Sequence, residues 1–147
     1  MPATTIKSEA VLNKIFNKKS GQYMAFDLIL ASRKGISYAD YLPFLSEKDF
    51  FLLKDWAKIL HISERTLQRY KRDKLKFDAS LSEKFLQILI ILKKGIEVFG
   101  NRNKFISWLN TKSIPLGGNK PKDLLDTSFG VNLVSDELTR IAHGVFA

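Results

Sequence analysis

The sequence has no cysteine, and only two histidines, four prolines and eight glycines in 147 residues. Without cysteine there is no disulfide framework and no thiolate metal site, a composition that suits a reducing compartment. The two histidines, His61 and His143, fall in neither an H-x-x-x-H nor an H-E-x-x-H spacing, so no metal-binding helix is expected. Long hydrophobic runs are missing too. The longest, Phe85 to Leu92, is interrupted by Gln87 and closed by Lys93 and Lys94. That falls far short of the roughly 20 residues a bilayer-spanning helix needs. The opening MPATTIKSEA holds no apolar core of the signal-peptide kind. A soluble, cytoplasmic protein with no membrane partner is expected.

What the chain does have is positive charge. Lysine and arginine number 24 against 15 acidic residues, a net charge of +9. Residues 61–76 alone carry six basic and two acidic side chains, almost half of the surplus in sixteen residues. Residues 77–99 are neutral by the same reckoning. Basicity gathered on one segment is the footprint of a polyanion partner, whereas diffuse basicity serves only solubility.

Hydrophobic spacing predicts an all-α fold. Val11, Leu12, Ile15 and Phe16 recur at helical intervals, with Ser8 as the expected cap. A second apolar run, Tyr23 to Arg33, contains Met24, Phe26, Leu28, Ile29 and Leu30 and ends at Gly35. A short helix is expected over Ser37 to Phe44, with Pro43 blocking a long continuation. Ser46 to Asp49 reads as an S-x-x-D cap for a helix burying Phe50, Leu53, Trp56, Ala57 and Leu60. Ser80 and Glu83 read as a capping box for a long helix, Leu81 to Phe99. That helix is apolar on most sides, so it belongs in a core or against a second subunit, and it is the expected dimer surface. Gly100 ends it, and Asn101 caps a helix with Phe105, Ile106, Trp108 and Leu109. Residues 111–122, with two glycines and two prolines, are the clearest loop. Pro121 opens a short helix, and Thr127 caps a last one carrying Val131, Leu133, Val134, Leu138 and Ile141. The expected division is an N-terminal helical module over residues 1–99, its core near 45–80, and a C-terminal module over 100–147.

The charged segment Trp56 to Arg72 has the spacing of a helix-turn-helix. Ala57 is small enough for a second helix to cross closely, and Ile59 and Leu60 supply apolar contacts. His61, Ile62 and Ser63 make the turn, and Ser63 caps the second helix. Leu67 and Tyr70 face inward on that helix. Arg65, Thr66, Gln68 and Arg69 project outward, with Lys71 and Arg72 at its end. Guanidinium groups suit guanine edges, an amide suits adenine, and hydroxyls or lysines hold phosphates. The DNA-contact candidates are Ser63, Arg65, Thr66, Gln68, Arg69, Lys71 and Arg72. The same spacing also suits a helix pair serving only as scaffold. The segment resembles the Xre-type, lambda-repressor-like helix-turn-helix, whose usual form is A-x-x-L-G-I-S-x-x-T-L-x-R. One position departs from it: His61 stands where the family has its turn glycine.

The second half carries further landmarks. Val98, Phe99 and Gly100 precede Arg102, and Trp108 and Leu109 follow. Then come P-L-G-G-x-x-P over Pro115 to Pro121, L-L-D-T over Leu124 to Thr127, Gly130, and R-I-x-H-G-V over Arg140 to Val145. Together these resemble the C-terminal toxin-binding domain of the Xre/MbcA/ParS antitoxins. The resemblance implies a type II antitoxin whose partner is a RES-domain toxin that consumes NAD, and whose helix-turn-helix binds the operator DNA of its own operon as a homodimer. It places toxin contact on Arg140, His143, Gly144, Val145 and Phe146, with the apolar tail entering the toxin's NAD pocket. Inhibition of that kind is steric and needs no cofactor of its own.

An enzyme would need convergent polar groups, and none line up. Asp136 and His143 are seven residues apart, too far for a direct carboxylate–imidazole pair. The Gly117–Gly118 loop lacks the frame of a phosphate-binding loop. No nucleophile–base pair or acidic metal cluster is present, so neither catalysis nor a metal is expected. The other reading left standing is a stand-alone helix-turn-helix transcriptional regulator without a toxin partner.

Overall fold

The structure is a computed structural model that describes residues 3–16, 25–47 and 50–144. The chain divides into two compact units, residues 1–86 and 87–147. Every regular element among the described residues is helical, apart from an isolated bridge between Ser113 and Asn119. The all-α expectation therefore holds.

In the first unit, helix α1 (Ala3–Phe16) packs on α3 (Tyr38–Glu47) through the buried Val11, Leu12 and Phe16. Lys14 on α1 pairs with Asp40 on α3 at 2.9 Å. Ser8 does not cap α1. The helix begins five residues earlier, and Ser8 is buried in its interior. Helix α3 continues through Pro43 for one further turn. A proline costs one backbone bond there, but Tyr41, Phe44 and Leu45 are fully or almost fully buried and hold the segment in place. Between α1 and α3 lies α2 (Ala25–Lys34), whose end Gly35 takes a φ of +92°. No residue of α2 is buried, and Phe26, Ile29 and Leu30 are exposed rather than in the core. The expected Tyr23 and Met24 lie outside the described residues.

An aromatic cluster forms the centre of this unit. Trp56 meets Phe44, Phe51 and Phe85, and its indole N–H donates to the Phe44 carbonyl at 3.2 Å. Phe77 stacks on Tyr41 with ring centroids 3.9 Å apart. The backbone closes a long-range stitch beside it: Phe77 N–H donates to the Ile36 carbonyl at 2.9 Å, and Ile36 N–H donates to the Ser82 hydroxyl at 2.8 Å. Helix α6 (Ala79–Phe99) starts straight after this anchor. Its capping side chain is accordingly Asp78, which accepts from Leu81 N–H at 2.9 Å, and not the Ser80–Glu83 box. The S-x-x-D cap over Ser46 to Asp49 is not used either. Ser46 lies within α3, Lys48 and Asp49 lie outside the described residues, and α4 (Leu53–Leu60) is capped by Asp55 accepting from Leu52 N–H at 2.9 Å.

On α6, Leu81, Phe85, Leu86, Ile88, Leu89, Ile91 and Leu92 are buried, whereas Ile90, Ile96, Val98 and Phe99 are half-buried. The apolar surface this helix has left for a second copy is reduced to those four side chains.

In the second unit, Gly100 ends α6 with a φ of +65°, and Asn101 caps α7 (Arg102–Leu109) by accepting from Lys104 N–H at 3.0 Å. Gly95 on α6 lies under the Phe105 ring, so close that a Cβ would stand 2.0 Å from it. The loop after α7 folds into two 3-10 turns, Ile114–Leu116 and Pro121–Leu124, and both pack on α8 (Ser128–Gly144). Helix α8 buries Gly130, Val134 and Leu138.

Candidate nucleic-acid interface and partner-binding face

Helix α4 ends in a left-handed turn. His61 has φ 59° and ψ 38°, the conformation the glycine would otherwise take. The closing bonds run from Ile62 N–H to the Ala57 carbonyl at 3.1 Å and from His61 N–H to Lys58 at 3.3 Å. This is the Schellman closure of a helix end, made here without glycine. Histidine is among the side chains that enter this region with least cost, so the departure leaves the turn's geometry intact. Ser63 then caps α5 (Glu64–Arg72) by accepting from Thr66 N–H at 3.0 Å.

Helix α5 divides cleanly into back and front. Leu67 is fully buried and Tyr70 is half-buried against Phe77. Arg65, Gln68 and Arg69 are exposed, at the i, i+3, i+4 spacing that puts them side by side. The Arg69 guanidinium lies over the Tyr70 ring, 5.5 Å from its centroid, which restrains it without neutralising it.

The other four candidates differ in kind. Ser63 and Thr66 are joined hydroxyl to hydroxyl at 2.9 Å, so they set the helix start. Lys71 is half-buried. Arg72 holds Asp73 through two bonds, at 2.9 and 3.2 Å. That contact keeps the Asp73 carboxyl below its ordinary range and raises Arg72 further. Much of the Arg72 charge is thus answered within the chain.

The C-terminal end of α5 is tied down by a residue the sequence did not single out. Tyr41, fully buried, donates its hydroxyl to the carbonyls of Leu75 at 2.6 Å and Tyr70 at 3.1 Å. Burial, with smaller contributions from Tyr38 and Tyr70, pushes its pKa up to about 12. A tyrosine in an unfolded chain ionises near 10. Above that pH the unfolded state gives up a proton the folded state keeps, so this stability is complete below about pH 10 and is lost as pH rises towards 12. Tyr41→Phe is expected to cost about 1–2 kcal/mol at pH 7. Urea titrations should show the cost and also a shallower alkaline loss in the variant. Equal stability at pH 7 would show that the Tyr41 hydroxyl does not hold the end of α5.

In the second unit the site is built around α8. Thr127 caps it, accepting from Gly130 N–H at 3.0 Å. Lys94 on α6 donates to Ser135, through both its carbonyl and its hydroxyl at 3.0 Å, and to the Thr139 hydroxyl at 2.5 Å. Glu137 is buried, and Arg140 covers it with two bonds of 2.9 and 2.5 Å. Of the expected toxin-contact residues, Arg140 and His143 are exposed and Gly144 is half-buried on the last turn of α8. Val145 and Phe146 lie outside the described residues.

The surface also shows what the sequence reading missed. Ile114, Phe129 and Leu133 are 90%, 82% and 55% exposed. Leu133 lies on the expected last helix, but the buried stripe of α8 runs through Gly130, Val134 and Leu138. Steps of four from Gly130 give Val134 and Leu138, the buried line, while Phe129 and Leu133, four apart themselves, share the adjoining face. Among the described residues there is no group of three metal-ligating side chains and no helix long and apolar enough to cross a membrane.

Residues 53–89, which begin with α4 and contain all of α5, match the antitoxin Xre-like helix-turn-helix domain. Residues 94–144, ending with α8, match the antitoxin Xre/MbcA/ParS C-terminal toxin-binding domain. Both matched segments are domains of the Xre-type antitoxins. Among the chain's relatives, Antitoxin Xre of Yersinia enterocolitica is 31% identical over 87 residues, 58% of this chain and 59% of the relative. Antitoxin Xre of Photorhabdus laumondii is 28% identical over 92 residues, 62% of each. The chain therefore matches about three fifths of the length of these curated relatives.

Proposed function

We propose that this antitoxin neutralises a RES-domain, NAD-consuming toxin and represses its own operon by binding operator DNA as a homodimer. The observation that carries the reading is the pairing, on one chain, of a matched toxin-binding domain with a helix α5 whose Arg65, Gln68 and Arg69 are exposed on one face. DNA recognition falls first on those three side chains. Ser63 and Thr66 hold the helix start, and Lys71 and Arg72 contribute phosphate contacts. A homodimer places two such helices in successive major grooves of a palindromic operator, about 34 Å apart.

Toxin inhibition uses the end of α8. Arg140 and His143 contact the toxin surface, and Val145 and Phe146, following Gly144, enter the NAD pocket and exclude the dinucleotide. Occupancy alone inhibits, so this chain supplies no catalytic group and needs no cofactor. Removing residues 144–147 is expected to abolish protection of cells co-expressing the toxin, while operator binding in gel shifts stays within twofold of the full chain. Protection by the shortened chain would overturn pocket occupancy. Absence of protection by the full chain would favour the stand-alone regulator.

A further inference from the structure

The matched toxin-binding domain ends with α8, and two exposed large apolar side chains, Phe129 and Leu133, lie towards the opposite end of that helix from Arg140 and His143. Phe129 and Leu133 are one turn apart on α8, and Ile114 sits on the 3-10 turn that packs against it. Around Phe129 and Leu133, Ser128, Asn132 and Asp136 are exposed and polar. An apolar centre with a polar rim is the anatomy of a protein–protein contact. Asp136, one turn beyond Leu133, sets an exposed carboxylate beside Phe129 and Leu133, which disfavours a phosphate backbone on that part of α8. None of the side chains has a role in the packing of the unit, whose core residues Val134 and Leu138 lie on another face of the same helix.

We infer that Phe129 and Leu133, with Ile114, form an anchor for the toxin, separate from the end of α8 and seated in an apolar recess of the toxin beside a basic side chain that meets Asp136. This rests on the toxin-neutralising reading above. The geometry allows one partner to meet both ends. Phe129 and Gly144 are fifteen residues apart, roughly 22 Å along a helix. A standard interface of about 800 Å² per partner is roughly 30 Å across. The anchor supplies buried apolar area and residence time, and the end of α8 supplies occlusion of the pocket. The two contributions separate in an experiment, since losing the anchor weakens the complex whereas losing the tail frees the active site within it.

The test uses the full chain and the toxin that it neutralises in co-expression. Phe129→Asp with Leu133→Asp is expected to weaken toxin binding at least a hundredfold by calorimetry, with operator binding and the thermal unfolding midpoint unchanged. Both side chains are exposed, so folding should survive. Ile114→Asp, made separately, is expected to weaken binding about tenfold. Unchanged toxin affinity in both variants would overturn the anchor while leaving neutralisation by the tail intact. A shift from dimer to monomer in the double variant, with toxin affinity per chain retained, would overturn it in favour of a second copy on this face. Failure of the unsubstituted chain to bind any co-expressed RES-domain toxin would overturn the underlying reading instead.

Discussion

Gly130→Ala is expected to destabilise the second unit by about 3 kcal/mol or more. A Cβ at this position would stand 1.6 Å from the Leu124 carbonyl oxygen and 2.7 Å from its carbon. Both are backbone atoms, so no side-chain rotation relieves the overlap. The turn containing Leu124 would have to lift away from the start of α8, breaking the packing that Thr127 and Gly130 close. Alanine is the better helix former in isolation, by about 1 kcal/mol, so the sign of the effect separates contact from propensity. Gly144→Ala is the matching control. Only the Arg140 Cγ lies near, at 3.9 Å, and stability should hold or rise slightly. Thermal melts followed by circular dichroism would register the Gly130 effect as a fall of about 10 °C. A midpoint at or above that of the parent chain would show that the close approach is not what holds α8.

The second large effect concerns DNA. Arg65→Ala and Arg69→Ala are each expected to cost about 1–3 kcal/mol of operator binding, and the pair together to bring affinity near the non-specific level. Arg72→Ala should cost distinctly less, because Asp73 already takes two of its hydrogen bonds. Fluorescence anisotropy on operator and scrambled duplexes at one fixed salt concentration distinguishes the cases. Loss of a base contact lowers operator affinity alone, whereas loss of a phosphate contact lowers both and flattens the salt dependence. Equal, small effects at all three arginines would mean that α5 does not enter the groove.

The helix-turn-helix was legible in the sequence because its constraints are local. Ala57, Ile62, Ser63 and Leu67 lie within three turns of one another, and each has one physical task. His61 was readable as the turn residue, and its left-handed backbone follows from the resemblance, which sets it where the family has glycine. Caps were read less well wherever a long-range anchor decided the register. Ser80 and Glu83 have the right chemistry for a cap, but Phe77, bonded to Ile36, brings the chain into helix at Asp78 first. Nothing within five residues of Ser80 encodes that bond. Ser8 failed for the reverse reason, since the helix it was meant to begin extends past it towards the N-terminus.

The C-terminal unit was read correctly as helices and turns, with Asn101, Thr127 and the glycines at Gly100, Gly117 and Gly118 in their expected roles. The last two take φ of 72° and 79°. Its exposed face was not seen, because hydrophobic residues on a helix were counted without phase. Leu133 and Val134 are neighbours in sequence, about 100° apart around the helix, and Val134 is the one that points inward. The glycine at Gly130 fixed the phase, and it was visible in the sequence as a landmark without being used as a ruler.

The stitch between Ile36, Phe77 and Ser82 bears on how the DNA-reading helix comes to be formed. Helices α4 and α5 are short-range structures that can assemble within microseconds of chain contact. The end of α5 is held, however, by Tyr41 and by a segment whose hydrogen bonds reach across as many as 46 residues. Closing a loop of that length costs roughly 3 kcal/mol of chain entropy before any contact is gained. The recognition surface therefore nucleates early and locks late, and its slowest-exchanging amides should cluster at Phe77 and Ile36 rather than on the face that meets DNA.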